Sequence, residues 1–207
     1  KGMAELIIKS YYHSYYHDSN SNVRIGIARA GNVIGGGDWA SDRIVADCIR
    51  SWSKDKVVEI RNPNATRPWQ HVLEPLSGYL TLAMEIDASS CLHGEAYNFG
   101  PPADQDFSVK SLIEEMSLSW KNVRWKDISK DYRHLHEAGL LKLNCDKALF
   151  DLKWLPTMDF VETVRMTVDW YKAFYEPSNI NMQDFSISQI DEYSNLAKKR
   201  NRSWINH

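Results

Sequence analysis

Arg67 lies in the stretch Ala65-Thr-Arg-Pro-Trp-Gln-His-Val-Leu-Glu-Pro-Leu-Ser-Gly-Tyr-Leu80. A guanidinium is the side chain best shaped to grip two oxygens of a diphosphate at once. Standing alone, Arg67 reads as well as a surface arginine beside a structural Trp69. Asn32 follows the alternating pattern Val23, Ile25, Ile27, at the carboxyl end of a strand, where open parallel sheets place their ligands. There it can hydrogen-bond a polar ligand, or support a loop by taking a left-handed conformation. Gly35, Gly36 and Gly37 let backbone amides approach an anion, or simply allow a tight turn. Arg61, just past the short pattern Val57 to Ile60, offers a planar cation on which a nucleobase can stack.

Other constellations carry less chemistry. His13 and His17 are one helical turn apart and could chelate zinc, but no further ligand cluster accompanies them, so they read as a surface pair. His134 and His136 lack cysteine partners. Cys48, Cys91 and Cys145 are odd in number and widely spaced, which points to reduced thiols and a cytoplasmic protein rather than a disulfide frame or a metal site. The fingerprint Gly-x-Gly-x-x-Gly is absent, as is a Walker loop, so the sequence offers no dinucleotide-phosphate cradle of its own.

The elements that must position these residues follow from periodicity. Ala4, Ile7, Ile8, Tyr11 and Tyr15 predict an amphipathic helix over residues 1 to 16. The strand from Val23 to Ala28, with small residues on one face, is of the buried parallel type. A helix from Asp42 to Trp52, capped by Ser41, is expected to turn Ile44, Val45, Cys48, Ile49 and Trp52 inward. A helix begun at Pro75 is expected to bury Leu76, Tyr79, Leu80 and Ala83. Ala96 to Gly100 reads as a strand, Val109 to Ser119 as a helix, and residues 123–125 and 141–143 as small strands. A short helix starts at Asn144 or Asp146, and Phe160, Val164, Val168 and Tyr171 define the last strong helix. The arm beyond Glu176 is polar except for Phe185, Ile187, Ile190 and Tyr193, which suits a docked helix. Its basic cluster Lys198, Lys199, Arg200 and Arg202 reads as a solvated tail.

At 207 residues with a formal net charge of −2, the chain can bury one sizeable core and presents no broad field for nucleic acid. No apolar run reaches transmembrane length, so no membrane partner is expected. The chain opens on Lys1 directly in helical pattern, and is expected to be the C-terminal part of a longer enzyme.

The run Arg29-Ala-Gly-Asn-Val-Ile-Gly-Gly-Gly-Asp-Trp-Ala40, together with the Arg67 segment, resembles the nucleotide-sugar dehydratases and epimerases. These are NAD-dependent extended short-chain dehydrogenases, and the resemblance spans residues 1 to 175. It implies an α/β fold: the C-terminal part of a Rossmann-type doubly wound parallel sheet plus a small mixed α/β substrate-binding domain. Residues 1–40 would close the NAD-binding domain, 41–175 would form the nucleotide-sugar region interleaved with the sheet, and 176–207 the arm. Lys1 matches the family's catalytic lysine, which binds the nicotinamide ribose of NAD and lowers the pKa of a tyrosine four residues earlier. Asn32 matches an asparagine that bonds substrate near its diphosphate, and Arg67 the arginine that grips it. Pro68 stands where most relatives carry Asp, as in the branch acting on a CDP-hexose. Arg43 matches a basic substrate contact, although Asp42-Arg-Ile-Val-Ala46 lacks the family's proline. Arg61 occupies the place where relatives hold the base. Either Arg133 or His136, beside His134-Leu-His-Glu-Ala138, matches the contact to the second phosphate.

The resemblance further implies a cytoplasmic homodimer acting in deoxysugar and O-antigen-type polysaccharide biosynthesis. The sugar is oxidised at carbon 4, loses water across carbons 5 and 6, and takes hydride back at carbon 6. The phenolic tyrosine and both acids of that reaction are not in this chain, which is expected to be inert by itself. An epimerase or reductase of the same superfamily, and a non-catalytic binding module, are the alternatives.

Overall fold

The computed structural model describes residues 2–18, 22–132, 141–176 and 180–206. Helix α1 (Gly2–Tyr11) continues into a π-helical turn at Tyr12–Tyr16, as the apolar spacing predicts, yet none of its residues is buried. Met3, Leu6, Ile7 and Tyr11 all remain exposed. Strands β1 (Ile27–Ala30) and β2 (Asn32–Ile34) follow. The alternation begins at Val23, but the β1 ladder begins at Ile27, whose N–H donates to the Glu95 carbonyl at 2.9 Å, with the Gly94 N–H bonding the Ile25 carbonyl just before it at 2.7 Å. Then come α2 (Ile44–Trp52), β3 (Val58–Ile60), β4 (Thr66–Arg67), β5 (Trp69–His71) and α3 (Leu73–Ala88). Next are β6 (Ala96–Phe99), β7 (Phe107–Ser108), α4 (Val109–Ser119) and β8 (Trp125–Asp127). Helices α5 (Asp146–Leu152), α6 (Phe160–Tyr175) and α7 (Met182–Lys199) complete the chain.

The ladders are mainly parallel: β1 with β6, β2 with β5 and β3 with β8, while β4 and β7 run antiparallel. Parallel strands need helices on their faces to bury them, and the sequence supplies those helices between the strands. Val45, Cys48, Ile49 and Trp52 of α2 enter one apolar cluster with Ile34, Trp69, Leu112, Ile113 and Val168. A second cluster gathers Leu82, Ile86, Tyr97, Phe99 and Trp154. Helix α6 packs on β2, β5 and α4, and its capping box at Asp159 and Glu162 fixes where it starts.

Several expectations are corrected. Leu76 and Leu80, predicted inward, are 45 % and 68 % exposed; α3 instead buries Glu74, Ser77, Thr81, Leu82 and Ile86. The apolar count misled because Ser77 and Glu74 are enclosed by a polar network, in which the Ser77 hydroxyl accepts from the Trp154 indole at 3.0 Å. Ser41 does not cap α2; Arg43 stands at that position without a side-chain bond, preceded by Asp42 at φ 62°. Residues 141–143 form no strand. The C-terminal arm is the expected docked helix, but Arg200 is not solvated tail: it donates to Glu162 at 2.7 and 2.9 Å. Among the described residues no helix is long and apolar enough to cross a membrane.

Candidate functional site

Four of the predicted site residues, Asn32, Arg43, Arg61 and Arg67, lie in the described structure, and two contacts join Asn32 and Arg61 to neighbours of the other two. The parallel register sets Asn32 opposite Trp69, two residues on from Arg67. At the same point Gly31 presses on Pro68 so closely that a Cβ at position 31 would stand 2.8 Å from the proline Cγ. Only glycine permits that approach, which brings the Gly31 backbone against Pro68, the residue after Arg67. The second pair forms where Arg61 reaches Asp42, Nη2 to Oδ1 at 3.4 Å, beside Arg43 on the turn into α2.

The loop from Arg61 to Arg67 links the two pairs and is tied down along its length. Ala65 N–H donates to the Asn62 carbonyl at 3.3 Å, while Val109 and Lys110 N–H donate to the carbonyls of Ala65 and Pro63 at 3.0 and 2.8 Å. The orphan amides of the first turn of α4 thus find their acceptors in this loop. Beyond it, the Trp69 indole donates to the Phe107 carbonyl at 3.0 Å. Arg67 itself is half-buried and one arm of its guanidinium donates to the Thr66 carbonyl at 2.8 Å.

The loop after β2 is clamped from two sides. A Cβ on Gly36 would fall 2.0 Å from the Trp170 ring, so this glycine serves close packing against α6. Tyr171 donates its hydroxyl to the Asp38 carbonyl at 2.8 Å, and burial pushes that phenol up to about 12. From α2, Arg50 donates to the carbonyls of Trp39 and Ala40 at 3.2 and 3.3 Å. Close packing on Trp170 therefore accounts for Gly36, a role that neither sequence reading of the glycine run, anion approach or tight turn, contained. Beneath the loop His71 is buried and accepts from the Leu73 N–H at 3.3 Å through Nδ1; burial pulls its imidazole down to about 4, leaving it neutral.

Trp170, Arg50 and Asp42 were not singled out as site residues from sequence, and Tyr171 was read only as part of the apolar stripe of its helix. Each acts through a contact with residues distant in the chain, and no local spacing marks such a contact. Lys1, Arg133 and His136 lie outside the described residues. His13 and His17 stack at a ring separation of 6.0 Å, and among the described residues no group of His, Cys, Asp and Glu could hold a metal ion.

Parallel ladders flanked by helices define a Rossmann-type architecture, and solved structures share it. One is UDP-glucuronic acid 4-epimerase from Bacillus cereus, in complex with UDP-glucuronic acid and NAD, at TM-score 0.69 and 20 % identity over 84 % of this chain and 52 % of that one. Another is dTDP-glucose 4,6-dehydratase from Bacillus anthracis in complex with NAD, at TM-score 0.62 and 16 % identity over 84 % and 50 %. No protein-family model matches the sequence. A curated protein does: CDP-glucose 4,6-dehydratase of Salmonella typhimurium is 40 % identical over 206 residues, covering 98 % of this chain and 55 % of that protein. The sequence likeness to that dehydratase runs through nearly the whole of this chain, and the solved epimerase and dehydratase structures share its fold. The chain spans about half the length of the curated relative it matches.

Proposed function

We propose that this chain is the nucleotide-sugar-binding portion of a CDP-glucose 4,6-dehydratase. The observation that carries the reading is the 40 % identity to that dehydratase across 206 residues. It agrees with the pairing of Asn32 with Trp69, two residues on from Arg67, and with the contact of Arg61 to Asp42 on the turn that carries Arg43. Arg67 grips the diphosphate, Asn32 bonds the substrate beside it, Arg43 adds positive charge and Arg61 supports the base. Either Arg133 or His136 completes the phosphate contacts, and Lys1 contributes to the nicotinamide ribose and to the catalytic tyrosine.

NAD is the proposed cofactor of the complete enzyme, where it would accept and return the hydride. What this chain contributes is orientation and charge neutralisation of the sugar nucleotide. The product, a CDP-4-keto-6-deoxy sugar, suits deoxysugar supply for polysaccharides. Three free thiols agree with a cytoplasmic setting, and the exposed apolar face of α1 agrees with a homodimer. Calorimetric titration of the purified chain with CDP-glucose is expected to show binding, and incubation with NAD and CDP-glucose to yield no keto-sugar. Absence of binding would overturn the site; turnover would overturn the claim that the chain is inert alone.

A further inference from the structure

Asp42 and Arg61 come from separate loops, one leading into α2 and the other leaving β3, and their contact is open to solvent. The side chain of Asp42 is 85 % exposed and that of Arg61 is 51 % exposed. The turn that presents the carboxylate needs a residue that accepts positive φ: at 62°, Asp42 sits in the left-handed region that Gly, Asn and Asp tolerate and most residues avoid. A carboxylate therefore stands at the edge of the guanidinium on which, in the reading above, the nucleobase lies.

The bases that could lie there differ along one edge. Cytosine carries an exocyclic amine that donates, whereas uracil and thymine carry an oxygen that accepts. An ionised carboxylate only accepts, and its lone pairs outnumber what one guanidinium contact uses. Asp42 can thus keep Arg61 and take one further donor, while an acceptor oxygen in the same place meets repulsion. Attraction for one base and rejection of the others work in the same direction.

We propose that Asp42 determines base specificity, accepting a hydrogen bond from the exocyclic amine of a cytosine stacked on Arg61 and repelling the carbonyl oxygen of uracil or thymine. The proposal rests on the nucleotide-sugar reading of this site and adds a residue that reading did not contain.

The test compares CDP and UDP affinities by calorimetry on the full chain and on Asp42→Asn and Asp42→Gly. Both substitutions suit φ 62°, and far-UV circular dichroism confirms that they fold. The wild-type chain is expected to prefer CDP by roughly tenfold or more, the discrimination that one good base-edge contact supplies. In both variants the ratio is expected to fall to about two or less, by loss of CDP affinity with UDP affinity kept or improved. Equal weakening of both nucleotides, leaving the ratio intact, would show a general loosening of the loops and overturn the role of Asp42 while leaving the proposed function standing. A wild-type chain that binds neither nucleotide, or both alike, would overturn both.

Discussion

The Tyr171 hydroxyl on α6 donates to the Asp38 carbonyl at 2.8 Å, bonding that helix to the loop that follows β2. Next to it Trp170 lies against Gly36 without room for a Cβ. Gly36→Ala must therefore push the loop off α6, at about 1–3 kcal/mol for overpacking, whereas Tyr171→Phe loses about 1 kcal/mol with its one hydrogen bond. Urea denaturation measures both losses, and equal small effects would contradict the clamp.

Arg67→Ala is expected to weaken CDP-glucose binding by roughly 2 kcal/mol, near thirtyfold, as the loss of a charged hydrogen-bonding partner. Far-UV circular dichroism should be unchanged, because the loop is held by backbone bonds to α4 rather than by this side chain. Unchanged affinity would assign Arg67 a structural role.

Stability should depend on the protonation of Glu74. Its buried carboxylate accepts from the Thr157 N–H at 2.8 Å, the Met158 N–H at 2.6 Å and the Tyr193 hydroxyl at 3.0 Å. Burial nonetheless outweighs these donors and the nearby Arg202, pushing the carboxyl up to about 7. In the unfolded chain the same group ionises near ~4.3. Between those values the folded state holds the extra proton, so its stability falls as pH rises through the window and levels off above it. The urea midpoint of the wild-type chain should drop from pH 5 to pH 8 by more than that of Glu74→Gln, which cannot ionise. Parallel profiles for the two proteins would contradict the assignment.

Arg200 docks the arm through Glu162 and also donates to the Thr157 carbonyl. Because the pair is partly exposed, Arg200→Ala should cost about 1 kcal/mol and Lys198→Ala almost nothing. Limited proteolysis of α7 separates the two, and equal cleavage would show that Arg200 is as dispensable as its neighbour.

Much of this fold was legible from periodicity, and its failures have physical causes. Helix α6 turned Phe160, Val164, Val168 and Tyr171 inward as predicted, because an apolar stripe packs where the neighbouring surface is apolar. Helix α3 broke the same rule: Leu76 and Leu80 face outward because Glu74 and Ser77 find buried partners on Thr157, Tyr193 and Trp154. Those partners lie far along the chain, where no periodicity connects them to α3. Asn32, Arg43, Arg61 and Arg67 were singled out as candidates from side-chain type and motif. Asp42 was not, since its meaning comes from a left-handed backbone and a contact with a separate loop.

Tryptophan-fluorescence titration of the chain with CDP-glucose, alongside UDP-glucose and dTDP-glucose, tests the central claim most directly. Saturable binding of CDP-glucose with markedly weaker response to the other two is the predicted result. A folded chain that binds none of them, or all three alike, would contradict it.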